Sequence, residues 1–97
     1  MNYVFHPEAE SEFFEAINYL EEQNEGLGKT FSREIFVAIR KITFFPFAWT
    51  TISKNARRIL VNRFPYGIIY QVSGEEILIV AVMHSSREPN YWKGRAK

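Results

Sequence analysis

Residues 77–83 read Ile-Leu-Ile-Val-Ala-Val-Met and form the longest wholly apolar run of the chain. Alternate side chains of a strand point to opposite faces, so a run that is apolar at every position predicts a strand buried on both faces. The run is far too short to cross a bilayer. We therefore expect this strand to lie in the centre of a sheet, with a helical layer packed on it.

Two further strands are predicted on the amino-terminal side of this run. Residues 59–61 and 68–72 are strand-like, and a turn that contains Phe64 and Pro65 separates them. Residues 73–75 (Ser-Gly-Glu) have the composition of a tight hairpin turn and lead directly into the apolar run. Strands joined by such short turns pair in antiparallel fashion, so this half of the chain predicts a three-stranded meander.

The amino-terminal half predicts a short strand at residues 3–5 and two helices. Pro7 suits the first position of a helix, where its missing N–H costs no hydrogen bond, and Pro46 ends the second helix. The apolar residues of the helices recur at spacings of three and four: Ala9, Phe13, Ala16, Ile17 and Leu20, then Phe31, Ile35, Ala38, Ile42 and Phe45. The turn at residues 24–28 is so short that the helices must form an antiparallel hairpin.

A stripe of glutamates follows another side of the first helix. Glu8, Glu12, Glu15 and Glu22 recur at helical spacing. A charged stripe opposite an apolar one is typical of the solvated face of a helix, and we expect these carboxylates to face water. The alternative is that the stripe forms part of a docking surface.

The order of elements is therefore β-α-α-β-β-β. This is an α+β fold in which a helical hairpin packs on one face of an antiparallel sheet. Residues 46–55 are expected to form a loop with Phe47 and Trp49 exposed, and a polar tail follows the last strand. A chain of 97 residues has room for one hydrophobic core, so residues 1–97 are assigned to a single domain.

The composition excludes several kinds of site. The chain has no cysteine, which removes disulfides, thiolate metal sites and cysteine nucleophiles. It also has no aspartate for a Ser-His-Asp triad, and its two histidines lie in different halves of the chain. We therefore expect neither a metal nor another cofactor. The first residues lack a basic segment followed by an apolar one, which favours a cytoplasmic location without membrane association.

Charge is distributed unevenly along the chain despite a net charge of +1. Residues 1–53 contain eight glutamates and four Lys or Arg, whereas residues 54–97 contain three glutamates and eight Lys or Arg. The basic residues of the second half lie among aromatic ones. Arginines mixed with stacking aromatics suit single-stranded RNA and protein interfaces equally, so the composition leaves both open.

A metal-free ribonuclease would need a base, an acid, and cations around the scissile phosphate. His84 is the only imidazole in the basic half of the chain, and Tyr91 could replace it as the acid. Arg58, Arg63 and Arg87 could supply the positive charge. The alternative for His84 is a structural hydrogen bond at the end of a strand.

In the order of its motifs, the chain resembles the RelE/ParE superfamily of toxins from bacterial type II toxin–antitoxin modules. The matching segments are 5–9 (FHPEA), 26–28 (GLG) with Phe31 and Glu34, 57–61 (RRILV), 63–66 (RFPY) with Ile69 and Tyr70, 80–84 (VAVMH) and 87–95 (REPNYWKGR). The resemblance implies a small growth-inhibiting toxin, of the kind associated with plasmid stabilisation. A co-expressed antitoxin would neutralise it by laying a helix or strand along its hairpin and sheet.

Members of the RelE-like branch of this superfamily cleave messenger RNA on the ribosome, using cations on the sheet and a tyrosine in the tail. Aligned with that pattern, Arg58 and Arg87 keep a cation, whereas Leu60 and Gly67 replace two others and Lys93 takes the place of the tyrosine. The departures favour the ParE-like branch, whose members inhibit DNA gyrase by binding it. We therefore expect a toxin that is not an enzyme, with no catalytic residue assigned.

Two alternatives stay open at this point. The first is a ribosome-dependent messenger-RNA endoribonuclease that uses Arg58, Arg63, His84, Arg87 and Tyr91. The second is a non-toxic family member that only binds an antitoxin or nucleic acid.

For the ParE-like alternative, we expect contacts on two surfaces. The target contact is expected in the tail, with Trp92 as its anchor, at Arg87, Tyr91, Trp92, Lys93 and Arg95. The alternative for Tyr91 and Trp92 is that they fold back over the sheet as a lid. Antitoxin contacts are expected at Leu20, Phe36, Phe47 and Trp49, because the second helix has more apolar surface than one sheet face can cover.

Overall fold

The computed structural model describes residues 1–97, and its elements follow the predicted order with one strand added. They are β1 (Asn2–Phe5), α1 (Pro7–Gln23), α2 (Leu27–Phe44), β2 (Thr50–Ser53), β3 (Ala56–Leu60), β4 (Tyr66–Ser73), β5 (Glu76–His84) and a 3-10 helix at Lys93–Arg95. The strands form one sheet in the order β1-β5-β4-β3-β2. The α+β class and the helical hairpin on one face of the sheet are confirmed. Neither helix has the length and apolar character that a membrane-spanning helix requires.

The central apolar run lies where the sequence predicts. β5 pairs with β4 in antiparallel fashion from Glu76 opposite Ser73 to His84 opposite Tyr66, with a register shift between Ile69 and Tyr70. On its other side it pairs with β1, and this pair is parallel. The parallel direction is possible because the whole helical hairpin, rather than a tight turn, separates β1 from the meander.

The segment predicted as a loop, residues 46–55, contains the short strand β2. Thr50 and Thr51 pair with Arg58 and Arg57 of β3, and a bulge follows before Ser53. The sequence of β2 is too short and polar to show a strand pattern, so only its pairing with β3 defines it.

The helical hairpin depends on two glycines in its turn. Gly26 has φ of 84°, the left-handed region that glycine adopts without a steric penalty. The Glu21 carboxylate accepts hydrogen bonds from the N–H groups of Gly26 and Gly28, at 2.9 and 3.0 Å. A Cβ at position 28 would lie 2.7 Å from the carbonyl oxygen of Ile17, so Gly28 permits the close approach of the two helices.

Two hydrophobic clusters occupy the two faces of the sheet. The larger lies between the hairpin and the sheet and contains the buried apolar residues of α1 and α2, together with Ile59, Ile68, Tyr70, Ile77 and Ile79. The second lies on the opposite face and consists of Ala56, Ile69, Val80, Ala81, Met83 and Trp92. β5 contributes to both clusters, as its uninterrupted apolar sequence predicts.

Candidate functional site

Residues 85–97, which we call the tail, follow β5 and fold back across the face of the sheet opposite the helices, which we call the tail face. Its start is fixed by the Ser85 N–H, which donates to the carbonyl of Pro65 at 2.8 Å. Its end is fixed by buried Gln71, whose amide oxygen accepts from the Lys97 N–H at 3.0 Å and whose amide nitrogen donates to the Lys97 carbonyl at 3.2 Å. The tail is therefore attached to the sheet at both ends.

Trp92 is buried under this tail rather than displayed by it. Only 2% of the residue is exposed, and it belongs to the same cluster as Ile69 and Met83. Its indole N–H donates to the carbonyl of Pro89 at 2.8 Å. The expectation that Trp92 is a surface anchor is wrong for this conformation, since the second apolar face of β5 needs a cover and Trp92 supplies it. The lid alternative describes its position correctly.

Glu12 is a second departure from the sequence analysis, because it is not solvated. Its carboxylate accepts hydrogen bonds from both terminal nitrogens of Arg95, at 2.9 and 3.1 Å, and from the backbone N–H of Val82 at 3.1 Å. Arg95 also donates to the carbonyl of Val80 at 3.2 Å. Both charged side chains are only 11% exposed.

This arrangement supplies hydrogen-bond partners to backbone groups at an unpaired edge of the sheet. β1 pairs only with residues 76–79 of β5, so the later part of β5 has no strand on that side. Glu12 from α1 and Arg95 from the tail take the place of a neighbouring strand at Val80 and Val82. The ion pair therefore joins the helical layer, the sheet and the tail.

Tyr91 lies between two guanidinium groups. The Cζ atoms of Arg87 and Arg95 lie 3.9 and 5.0 Å from the centre of its ring. Its hydroxyl is buried near Glu12 and makes no hydrogen bond of good geometry. Burial, and to a lesser extent the Glu12 carboxylate, raise the pKa of Tyr91, whereas the two guanidinium groups oppose this change. The phenol is thus kept protonated and out of contact with solvent.

The residues proposed for a ribonuclease do not converge on one surface. Arg58 lies on the tail face of the sheet, in register with Ile69. His84 lies on the helical side, where its ring meets that of Tyr66 edge-on at 5.0 Å. Its Nδ1 accepts a hydrogen bond from the Ser86 N–H at 3.0 Å, which is the structural role considered for it.

Of the other ribonuclease candidates, Arg87 contacts Tyr91, whereas Arg63 lies apart in a turn. Arg63 lies in the turn between β3 and β4 with φ of 71° and takes part in no ion pair. Arg87 stacks on Tyr91 and lies 3.6 Å from the Glu12 carboxylate. No three side chains of the metal-binding types come close enough to hold an ion.

The tail face also carries Leu60, which is exposed, and Arg58, which takes part in no ion pair. Leu60 is 67% exposed and pairs with Gly67 in the sheet. The Cγ and Cδ atoms of Arg58 lie 3.4 Å from where a Cβ of residue 67 would be, so the arginine stem lies across the space that glycine leaves. Lys93 is also exposed, in the tail.

The residues expected to contact an antitoxin divide into two kinds. Phe36 and Phe47 are exposed, whereas Leu20 and Trp49 are half-buried and pack against the main core. Phe45, which the periodicity assigns to the apolar stripe of the second helix, is exposed, because α2 ends at Phe44 and the backbone turns away.

Phe44, beside it, is a second exposed phenylalanine that was not predicted from the sequence. Phe44 is adjacent to Phe45, and both side chains are accessible. Two consecutive aromatic residues at the end of a helix cannot both face the same core. The pair Phe44–Phe45 therefore indicates that at least one aromatic side chain is exposed at this end of α2.

Comparisons with known proteins agree with this architecture. The family model described as ParE toxin of type II toxin–antitoxin system, parDE, matches residues 3–89. Among solved structures, one titled "Chromosomal ParDE TA system from P. aeruginosa" superposes with a TM-score of 0.70 at 16% sequence identity, and the match covers 87% of this chain and 95% of that one. At that identity the superposition establishes a shared fold. No curated protein sequence matches the chain.

Proposed function

This chain belongs to the ParE toxin family of type II toxin–antitoxin systems, and from this membership we propose that it inhibits growth by binding DNA gyrase until a cognate antitoxin neutralises it. The toxin would act in the cytoplasm, where gyrase is found. The mechanism proposed is occupation of a protein surface, with no covalent step.

The separation of Arg58 from His84 is the observation that carries this proposal. The two side chains lie on opposite faces of the sheet. Cleavage of a phosphodiester requires base, acid and cations around one phosphate. Leu60 and Gly67 stand beside Arg58 on the tail face, and neither can stabilise an anion. Each lost charge contact near a transition state costs about 3–4 kcal/mol, so this geometry favours binding over RNA cleavage.

The tail face supplies the features of a protein-binding surface. Leu60 is exposed on this face, Arg58 lies on it in register with Ile69, and Arg87 and Lys93 are exposed cations that follow β5. Arginine is among the residues enriched at the anchor positions of protein interfaces. Trp92 would support this surface from beneath, and Tyr91 and Arg95 would hold the tail in place.

The antitoxin would bind the helical side. Phe36 and Phe47 are exposed, and Leu20 and Trp49 are half-buried and pack against the main core. These are the apolar contacts that a helix or strand of an antitoxin would cover.

A supercoiling assay tests the target. Purified toxin, gyrase and relaxed plasmid are combined, and we expect supercoiling to be inhibited at micromolar toxin. Leu60→Asp and Lys93→Glu should each weaken inhibition by about tenfold, which corresponds to about 1.4 kcal/mol of binding free energy. Lys29→Glu, an equal charge change on the helical side, should leave inhibition unchanged. Undiminished supercoiling would refute gyrase as the target.

Mapping of messenger-RNA 5′ ends after induction separates the alternatives. We expect no cuts in phase with codons. Cuts that disappear with Arg87→Ala would instead identify a ribonuclease, and normal growth on induction without an antitoxin would identify a non-toxic family member.

A further inference from the structure

Arg63 has a backbone conformation that glycine adopts elsewhere in the chain. It lies between β3 and β4 in residues 61–65, which we call the Arg63 turn, and its φ is 71°. The two other positive φ values of the chain belong to Gly26 and Gly74. In this region the Cβ of an L-residue comes too close to the following carbonyl oxygen, whereas glycine has no Cβ. The chain therefore accepts a steric cost at position 63 that it avoids at the other two.

The Arg63 turn is fixed on both sides, so the strained conformation cannot relax. The Val61 N–H donates to the carbonyl of Tyr66 at 2.9 Å, and the Tyr66 N–H donates to the carbonyl of Phe64 at 2.8 Å. The ring of Phe64 meets that of Phe31 in the main core edge-on, with their centres 5.2 Å apart. A strained residue persists where its surroundings determine its conformation in this way.

The side chain of Arg63 has no polar partner within the molecule. It is exposed, and its guanidinium takes part in no ion pair and lies over no aromatic ring. The hydrogen bonds donated by arginine side chains come from Arg57 and Arg95 alone. Nothing inside the folded chain therefore offsets the steric cost of an arginine here, and uncompensated strain at an exposed residue points to a functional contact.

The Arg63 turn lies next to the surface proposed for target binding. It follows Leu60, the exposed last residue of β3. On its other side, the carbonyl of Pro65 accepts from the Ser85 N–H at the start of the tail, at 2.8 Å. Arg87, whose side chain is 53% exposed, comes two residues later. The end of β3, the Arg63 turn and the start of the tail thus meet at one end of the sheet.

We propose that Arg63 binds a carboxylate of the target protein, and that this contact offsets the steric cost of its conformation. The inference rests on the proposed function, because it adds a contact and its chemistry to the target-binding surface. A guanidinium can form two parallel hydrogen bonds with one carboxylate. Because the backbone of the turn is already fixed, less entropy is lost when such a pair forms.

A nucleic-acid phosphate fits the surroundings of this arginine less well. The exposed neighbours in the turn, Asn62 and Pro65, carry no charge, and the exposed side chain of Leu60 is apolar. Affinity for a phosphate backbone comes from several cations that neutralise successive phosphates. A single arginine among uncharged residues is better suited to a protein interface, where arginine is enriched at the anchor positions.

Arg63→Gly separates the contact from the stability of the fold. Because the arginine gains nothing within the chain, this substitution should leave the melting temperature unchanged or raise it by up to about 5 °C. Arg57→Gly is the comparison, since the Arg57 guanidinium donates to the carbonyls of Phe47 and Trp49, and it should lower the melting temperature by at least about 5 °C. A decrease of more than about 3 °C with Arg63→Gly would show that the arginine stabilises the fold and would overturn the proposal.

The supercoiling assay with purified gyrase measures the contact itself. Arg63→Gly should weaken inhibition by about tenfold, and Arg63→Glu should weaken it further because it sets two carboxylates against each other. Arg33→Ala removes another exposed arginine without an ion pair, on α2, and should change inhibition by less than about twofold. Unchanged inhibition by Arg63→Gly would overturn the proposal. Arg63→Glu and Arg63→Gly of equal strength would overturn the acidic nature of the partner group.

Failure of this inference is distinguishable from failure of the proposed function. A chain that inhibits gyrase equally with and without Arg63 keeps the function and loses the inference. If the unmodified chain does not inhibit gyrase, the gyrase assignment fails, and growth arrest after induction then compares Arg63→Gly with Arg33→Ala. A chain that affects neither gyrase nor growth overturns both statements. Binding of a labelled DNA duplex that Arg63→Gly abolishes, measured by fluorescence anisotropy without gyrase, would assign the arginine to a phosphate instead.

Discussion

Glu12 shows how one side chain can connect three layers of a small protein. Its carboxylate accepts from Arg95 of the tail and from Val82 of the sheet while its backbone belongs to α1. A buried ion pair adds modest net stability, because removing both charges from water is costly. Loss of one partner is more severe, since the other charge stays buried without compensation.

Glu12→Gln should lower the free energy of unfolding by about 2 kcal/mol, because Arg95 would keep its charge in a site that is 11% exposed, with only the more exposed Glu8 carboxylate, 3.3 Å from its Nε, left to pair with it. Urea unfolding measures the change. Glu15→Gln, on the same helix but exposed and without an ion pair, should change stability by less than about 0.5 kcal/mol. Equal effects of the two substitutions would contradict a special role for Glu12.

Among the secondary structure elements, the helical hairpin depends most on a single small residue. Gly28 is buried in the first turn of α2, against the backbone of α1. At an ordinary helical position, alanine is more favourable than glycine by about 1 kcal/mol. The close approach of the helices should reverse that sign here.

Gly28→Ala should destabilise the protein by about 1–2 kcal/mol, because its Cβ would lie 2.7 Å from the Ile17 carbonyl oxygen and the helices would have to separate. The melting temperature measures this. Gly94→Ala is the matched control: a Cβ at that position meets nothing within 4 Å, so the melting temperature should hardly change. A stabilising Gly28→Ala would show that the hairpin can relax without cost.

In the molecule as a whole, the sheet separates two surfaces of different character. The helical side carries the exposed phenylalanines at the end of α2, and the opposite side carries the tail, Arg58 and exposed Leu60. Under the function proposed above, an antitoxin bound on the helical side has to continue around the molecule if it is also to cover the target-binding face.

Buried tyrosines give the whole fold a dependence on alkaline pH. Burial is the main cause that raises the pKa of Tyr66, Tyr70 and Tyr91 above the ordinary value of 10.0. The unfolded chain therefore loses these protons at a lower pH than the folded protein does. Their contribution to stability is complete below about pH 10 and declines as the pH rises above it.

We expect the urea midpoint to be lower at about pH 11 than at about pH 8, and some tyrosines to ionise only as the protein unfolds. Absorbance at 295 nm reports the ionisation. Tyr91→Phe should reduce the pH dependence of the midpoint, since phenylalanine has no proton to lose. An unchanged midpoint, or complete ionisation in the folded state near pH 10, would contradict this prediction.

The sequence was sufficient for the layering and for every main element except β2. The uninterrupted apolar run of residues 77–83 required a central strand, and two apolar stripes separated by a glycine-containing turn required a helical hairpin. These signals are local, because they depend on the period of a strand or helix within a few residues. The resemblance to the RelE/ParE superfamily also rests on local signals, namely short motifs in a fixed order, and the match of the family model confirms it.

The site depended on contacts between distant parts of the chain. Glu12 and Arg95 are 83 residues apart, and no local pattern marks either as buried. Strand register put Arg58 and His84 on opposite faces, and the return of the tail buried Trp92 where composition suggested an exposed anchor. Solvent exposure and convergence are properties of the packed chain, so only the folded structure decided which of these side chains are buried and which share a face.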